Sequence, residues 1–180
     1  PDERRPTILT LVMTKTRRET SRPPEHGDRP MCGRFTLRAN PAELAEIFEL
    51  ARLPEISPRY NIAPTQSVLA VRQDRGFRVP AMLRWGLVPH WAKDLSIGAR
   101  AINARSGTID EKPMFRHAFE SRRCLIPADG YYEWIPGEDG GKKQPLFHHL
   151  ADDRPFAFAG LWESWDFPEG ETIETCTILT

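Results

Sequence analysis

Two segments of this chain bring together side chains that can do chemistry. In "WGLVPHW" Trp85 and Trp91 flank a Gly-Leu-Val-Pro turn, and in "INARSG" Asn103 and Arg105 are separated by one small residue. In extended backbone those two side chains share a face. An amide, a guanidinium and a nearby indole can together grip a phosphate and stack a base. The alternative is that Trp85 and Trp91 are core anchors. A third segment, "ADGYYEW", sets Glu133 among aromatic rings, on the same strand face as Tyr131. A carboxyl group in such surroundings is pushed towards a raised pKa and can serve as acid or base near neutrality. The alternative there is a plain surface glutamate. A fourth segment, "RPMCGRFTL" at residues 29–37, puts Met-Cys-Gly-Arg, which looks like a beginning, some way into the chain.

These segments need a scaffold, and 180 residues suffice for one domain with a real core. Hydrophobic residues at 39% and charged residues at 28% fit a soluble globular class. The 25 Lys and Arg balance the 25 Asp and Glu, which argues against a generic nucleic-acid coat but allows a local basic groove. No apolar run reaches the roughly 20 residues of a membrane span. Cys32, Cys124 and Cys176 are an odd count without framework spacing, so a disulfide scaffold is not expected. No Cys-x-x-Cys pair suggests zinc, and neither a metal nor a cofactor is expected. Cys124 and Cys176 read as buried thiols.

Residues 1–30 are a different material. They are rich in Pro and charge, and they read as a disordered or non-native extension. From Met31 onward the pattern is mainly strand. "MCGRFTL" alternates like a strand. "NPAELAEIFEL" is a helix with Asn40 as N-cap, Pro41 at N1, and Leu44, Ile47 and Phe48 on one face. "LPEISPRYNIAPTQ" reads as Pro-punctuated loop. "SVLAVRQ" and "FRVPAMLRWGLV" form a hairpin about "DRG". Residues 89–113 read mostly as loop, and a loop that long is usually functional. "MFRHAFESRR" is a short helix entered through Pro113. "CLIPADGYYEWI" is a strand with a kink, and "PLFHHLA", "PFAFAGLWESW" and "ETCTILT" are strands. The expected class is α+β: one mainly-β domain with a curved, bulged sheet and a few short helices.

Eight motifs in order, "MCGRF", "PRYNIAPTQ", "WGLVPHW", "INARSG", "CLIPADGYYEW", "KKQPLF", "FAGLWESW" and "CTILT", resemble the SRAP domain of the abasic-site processing proteins, the YedK- and HMCES-like group. The resemblance covers residues 31–180. It implies a protein that shields abasic sites in single-stranded DNA by crosslinking to them through an N-terminal cysteine, here Cys32. "MCGRF" would then look like a beginning because in this family it is one. The α-amine and thiol of Cys32 would close a thiazolidine on the sugar aldehyde, which no internal cysteine can do.

By matched motif, Asn103 would hold the sugar or the N-terminal residue, and Glu133 would move protons. Arg34 and Arg105 would bind phosphates, and Trp91 and the "NIAP" loop around Pro64 would pack against unstacked bases. The resemblance implies single-stranded DNA with abasic sites as the partner, no membrane, a monomer, and a cytoplasmic location on the nucleoid if bacterial. The family also carries a His in an "H-x-R-M-P"-like stretch beyond the "TILT" strand. None of His26, His90, His117, His148 and His149 lies in that context, so no catalytic His is assigned and C-terminal truncation is expected. A closing strand unpaired on one side would be an exposed edge. Two rival readings are a self-processing cysteine peptidase and a non-covalent single-strand-binding module.

Overall fold

The computed structural model describes residues 8–9, 32–137, 140–167 and 170–180. Most of the extension expected to be disordered or non-native lies outside the described residues, as does Met31. Within it, Ile8–Leu9 (β1) is described as a two-residue strand parallel to Ala157–Phe158.

The strands form two sheets. Ser67–Asp74 (β4) and Phe77–Trp85 (β5) are the expected hairpin. Its two-residue turn puts Arg75 at φ +47° and Gly76 at φ +87°, the left-handed pair that matches the twist of the flanking strands. Arg123–Ala128 (β7), Phe156–Asp166 (β10) and Thr172–Leu179 (β11) complete a ring in which β10, β7, β4, β5 and β11 follow one another and β11 returns to β10. Asn103–Ala104 (β6) adds to the far side of β11. From Thr175 onward the last strand is therefore paired on both sides, with β10 on one flank and β5 and β6 on the other, so among the described residues its end is not an open edge. The second sheet runs Arg59–Ile62 (β3), Arg34–Leu37 (β2), Gly130–Ile135 (β8) and Gln144–His148 (β9).

Two expectations are corrected here. The Pro-punctuated stretch contains β3, which pairs with β2 through Phe35–Ile62 and Leu37–Arg59, with a register shift between them. Only that tertiary partner makes four residues a strand. The kinked strand at "CLIPADGYYEWI" is two strands in different sheets, β7 and β8, parted at Asp129. The buried Asp129 carboxylate accepts from Thr36 Oγ1 at 2.5 Å, from the backbone N–H groups of Arg38 and Ala39, and from Arg38 Nε at 3.1 Å. Thus one side chain fastens the end of β2 to the point where the chain changes sheets. Gly130 follows because a Cβ there would lie 2.2 Å from the Phe147 ring on β9.

Pro41–Ile47 (α1) starts as its sequence predicts, with Asn40 Oδ1 accepting from Ala42 N at 2.8 Å and Leu44, Ile47 and Phe48 buried. Pro113–Ser121 (α2) buries Phe115 and Ala118. The segment read as long loop also contains 3-10 turns at Leu95–Arg100 and Ser106–Thr108, besides β6. The main core packs Phe35 edge-on against Trp85 and Phe158, at centroid distances of 5.1 and 5.8 Å, and Phe156 edge-on to Phe158 at 5.2 Å. A smaller cluster of Leu87, Ala101, Ala104, Ile109, Phe115, Ala118 and Leu161 seats α2 and the β5–β6 connection.

Candidate active site around Cys32

Cys32 stands just before β2 and is fully buried. Its thiol donates to the carbonyl of Arg34 at 3.6 Å. Burial first and the neighbouring Glu133 second push that thiol up to about 12, against a smaller opposing effect of the bond to Arg34. Glu133 arrives from β8, the antiparallel neighbour of β2 paired through Arg34–Tyr132. It is 5% exposed, and desolvation raises its carboxyl above the usual glutamate range. Tyr131 lies on the same side, stacked on His148 at 4.9 Å. Its phenol is raised by burial first, then by Glu133 and Cys32.

Asn103 comes from the other sheet. The pairing of β6 with Ile178 and Leu179 of β11 holds it in place, and its Nδ2 donates to the carbonyl oxygen of Cys32 at 2.9 Å. Among the described residues, two buried acceptors at this site have no hydrogen-bond partner: Asn103 Oδ1 and Glu133 Oε1. Both atoms are open to a donor from a ligand or from water.

The residues read as DNA-binding lie on different elements. Arg34 Nη1 donates to Asn61 Oδ1 at 2.8 Å, which ties it to the "NIAP" segment. Pro64 is half-buried in a turn where Thr65 adopts φ +69° and bonds to Trp85 O at 2.7 Å. Arg105 is exposed, two residues beyond Asn103. Trp85 and Trp91 have different environments. Trp85 is the core anchor, wholly buried, with its Nε1 donating to Ile102 O at 2.8 Å. Trp91 is 51% exposed and forms one wall of a cavity of about 290 Å³, with Ala92, Lys93, Asp94 and Ile97. A larger cavity of about 460 Å³, bordered by Arg72, Phe77, Arg78 and Arg123, shares no residue with the Cys32 centre.

Sequence reasoning passed over Tyr60, 63% exposed on β3 beside Asn61, because the segment read as loop. It named Tyr131 only as a neighbour of Glu133. The two-residue alternation was the signal that Tyr131 faces the same centre. Cys124 and Cys176 are buried as expected. Burial pushes the Cys124 thiol up to about 12 despite the nearby Arg72, and raises that of Cys176 well above the ordinary range.

Fold and site together define a closed mainly-β domain whose centre is a cysteine gripped by an amide and flanked by a buried carboxyl group. The family model for the SOS response associated peptidase (SRAP) matches residues 31–180, and the chain belongs to that family. It is 47% identical over 153 residues to the abasic site processing protein YoqW of Bacillus subtilis (strain 168), covering 83% of this chain and 68% of that one. It is 31% identical over 159 residues to the abasic site processing protein HMCES of Mus musculus, covering 68% and 45%. Among solved structures, a phage-related protein from Bordetella bronchiseptica superposes with a TM-score of 0.66 at 31% identity, over 83% of this chain and 68% of that one. Among the described residues no helix is long and apolar enough to cross a membrane.

Proposed function

We propose that this protein processes abasic sites in single-stranded DNA by forming a covalent thiazolidine link through Cys32. The observation that carries this reading is the convergence on Cys32 of the Asn103 amide and the buried Glu133 carboxyl group, with one acceptor on each left unpartnered. The similarity to proteins named for abasic site processing supports it.

The chemistry requires Cys32 to be N-terminal, either through a start at Met31 followed by loss of that Met or through removal of the preceding segment. An α-amine has a pKa of about 7.7–8.0, against about 10.4 for lysine, so far more of it is neutral at physiological pH. The amine attacks the open-chain aldehyde of the abasic sugar. The resulting carbinolamine loses water to give an imine. The thiol then adds to the imine carbon while the nitrogen takes up a proton, which closes a five-membered ring. Nucleophile and trap on one residue have a high effective concentration.

Glu133 is suited to both proton transfers. With its pKa raised by burial, it can protonate the departing hydroxyl and then receive the thiol proton. A thiol held at about 12 is a poor first nucleophile. This favours attack by the amine over a thiol-first peptidase step. Once the imine is protonated, its positive charge beside the thiol lowers the thiol pKa and assists ring closure. Asn103 fixes the Cys32 carbonyl and offers its free Oδ1 to a sugar hydroxyl or to the amine. Arg34 and Arg105 bind phosphates, while Trp91 and the turn at Pro64 receive unstacked bases, a mode of binding that needs a local groove and no net charge.

A denaturing gel tests the proposal. Protein beginning at Cys32 is incubated with single strands that carry an abasic site or are intact. A shifted band on the abasic strand alone is expected. Equal non-covalent binding of both strands without a shifted band would leave only a single-strand-binding module. Crosslinking at full rate by chain that verifiably retains the residues before Cys32 would overturn the thiazolidine.

A further inference from the structure

We propose that His90, His117 and Glu163 form a binding site for one divalent transition-metal ion, zinc by donor type. The three come from separate elements: the segment after β5, helix α2 and strand β10. Their ligating atoms lie within 4.8 Å of one another. Both imidazoles turn Nδ1 towards the same carboxylate oxygen, Glu163 Oε2, His117 at 2.9 Å and His90 at 3.6 Å. The rings are 4.9 Å apart and tilted by 60°. Ligand atoms around a tetrahedral zinc with bonds of about 2.0–2.1 Å are themselves about 3.4 Å apart, so small ring movements would seat the ion.

His117 is hydrogen-bonded to Glu163, whereas His90 reaches the same oxygen only at ion-pair distance. At 3.6 Å its nitrogen is beyond hydrogen-bonding distance of the oxygen it faces. A metal ion gives both imidazoles and the carboxylate oxygen one shared partner. Glu163 is 2% exposed, and its other oxygen is already engaged by the Arg122 guanidinium and by Ser164 N at 3.0 Å. Those two groups hold the carboxylate from behind and present Oε2, as outer-shell partners do in metal sites. The histidine side chains are 53% and 48% exposed, which leaves an entry path and a solvent-facing fourth position. Two imidazoles and one carboxylate suit zinc and its neighbours in the transition series better than magnesium or calcium, which prefer all-oxygen shells.

The ion would clamp the segment carrying His90 to α2 and β10. That segment is already fixed on its other side, where Trp165 Nε1 donates to Ala92 O at 2.8 Å. Trp91 lies between the two anchors. Metal binding itself does not rest on the abasic-site reading; only its benefit to base stacking by Trp91 does.

The test is titration of the metal-free full chain with Co(II), read by visible absorption, followed by displacement with Zn(II). One equivalent per chain with the intense absorption of four-coordinate Co(II) is expected. His90→Ala and His117→Ala should each weaken binding by at least about 10-fold, and the double variant should lose saturable binding. Zinc should raise the melting temperature of the parent chain and leave that of the double variant unchanged. The exposure of both histidines makes these variants tolerable to the fold, and a His148→Ala/His149→Ala chain, which keeps the cluster, should bind like the parent. Absence of a saturable single site, survival of binding in the His90/His117 double variant, or a thiolate charge-transfer band from cysteine ligation would overturn the proposal.

Discussion

The side-chain amide of Asn103 donates to the backbone carbonyl of Cys32 at 2.9 Å, joining residues 71 positions apart. A carbonyl accepts and cannot donate, so only the NH₂ end of Asn103 can face it. The Oδ1 end is thereby directed elsewhere in the site.

Asn103→Ala removes both ends. Crosslinking by protein starting at Cys32 should slow by about 5- to 150-fold, the range set by about 1–3 kcal/mol for a buried hydrogen bond lost with its partner stranded. Affinity for intact single strands should change little. Asn103→Asp should be no better than Ala, because a carboxylate oxygen would oppose the Cys32 carbonyl. Single-turnover gel kinetics set against binding isotherms separate the two effects, and an active Asn103→Asp would show that the amide donor is dispensable.

Glu133 makes an opposite prediction for stability and for activity. Its folded-state pKa is raised by burial, so the folded form holds the proton more tightly than the unfolded chain does. Its contribution to stability is fully present below the ordinary glutamate range and is lost as pH rises through the raised value. Glu133→Gln should therefore stabilise the protein near neutrality. That gain should vanish in acid, while crosslinking slows at every pH. Melting curves of the two proteins from acid to neutral pH check the sign. A variant that crosslinks at the parent rate would reduce Glu133 to a strand residue.

Arg105 is exposed two residues beyond Asn103. Arg105→Ala should weaken binding to intact and abasic strands alike. It should also reduce the slope of log affinity against log salt by about 0.7, the value for one single-strand phosphate contact. An unchanged slope measured by fluorescence anisotropy would remove Arg105 from the interface.

The two tryptophans of "WGLVPHW" should respond in opposite ways. Trp85→Ala empties the core beside Phe35 and should cost about 3–5 kcal/mol of stability. Trp91→Ala removes a half-exposed ring and should change stability by less than about 0.5 kcal/mol. It should nonetheless weaken single-strand binding by about 1–3 kcal/mol, the range for one base–aromatic stack. Denaturant melts and binding isotherms on both variants distinguish a core residue from a stacking one.

Local chemistry was readable along the chain. Asn40 and Pro41 announce α1, "DRG" announces the β4–β5 turn, and the alternation around Glu133 puts it on one face with Tyr131, because caps, turns and strand faces depend on neighbours a few residues away. Other features depended on partners far off in sequence. Four residues around Tyr60 are a strand only because β2 lies beside them, and β7 and β8 part into two sheets because Asp129 is bound by Thr36, Arg38 and Ala39. The same residue type is core at Trp85, inside β5, and surface at Trp91, in the segment that follows it. Gly86, at φ +128°, must be glycine, since a Cβ would lie 2.6 Å from Gly98 O. The grouping of His90, His117 and Glu163 has no spacing signature at all. Metal-ligand motifs are legible when one helix or loop supplies several ligands, whereas here a loop, a helix and a strand each supply one, and only their packing brings the three together.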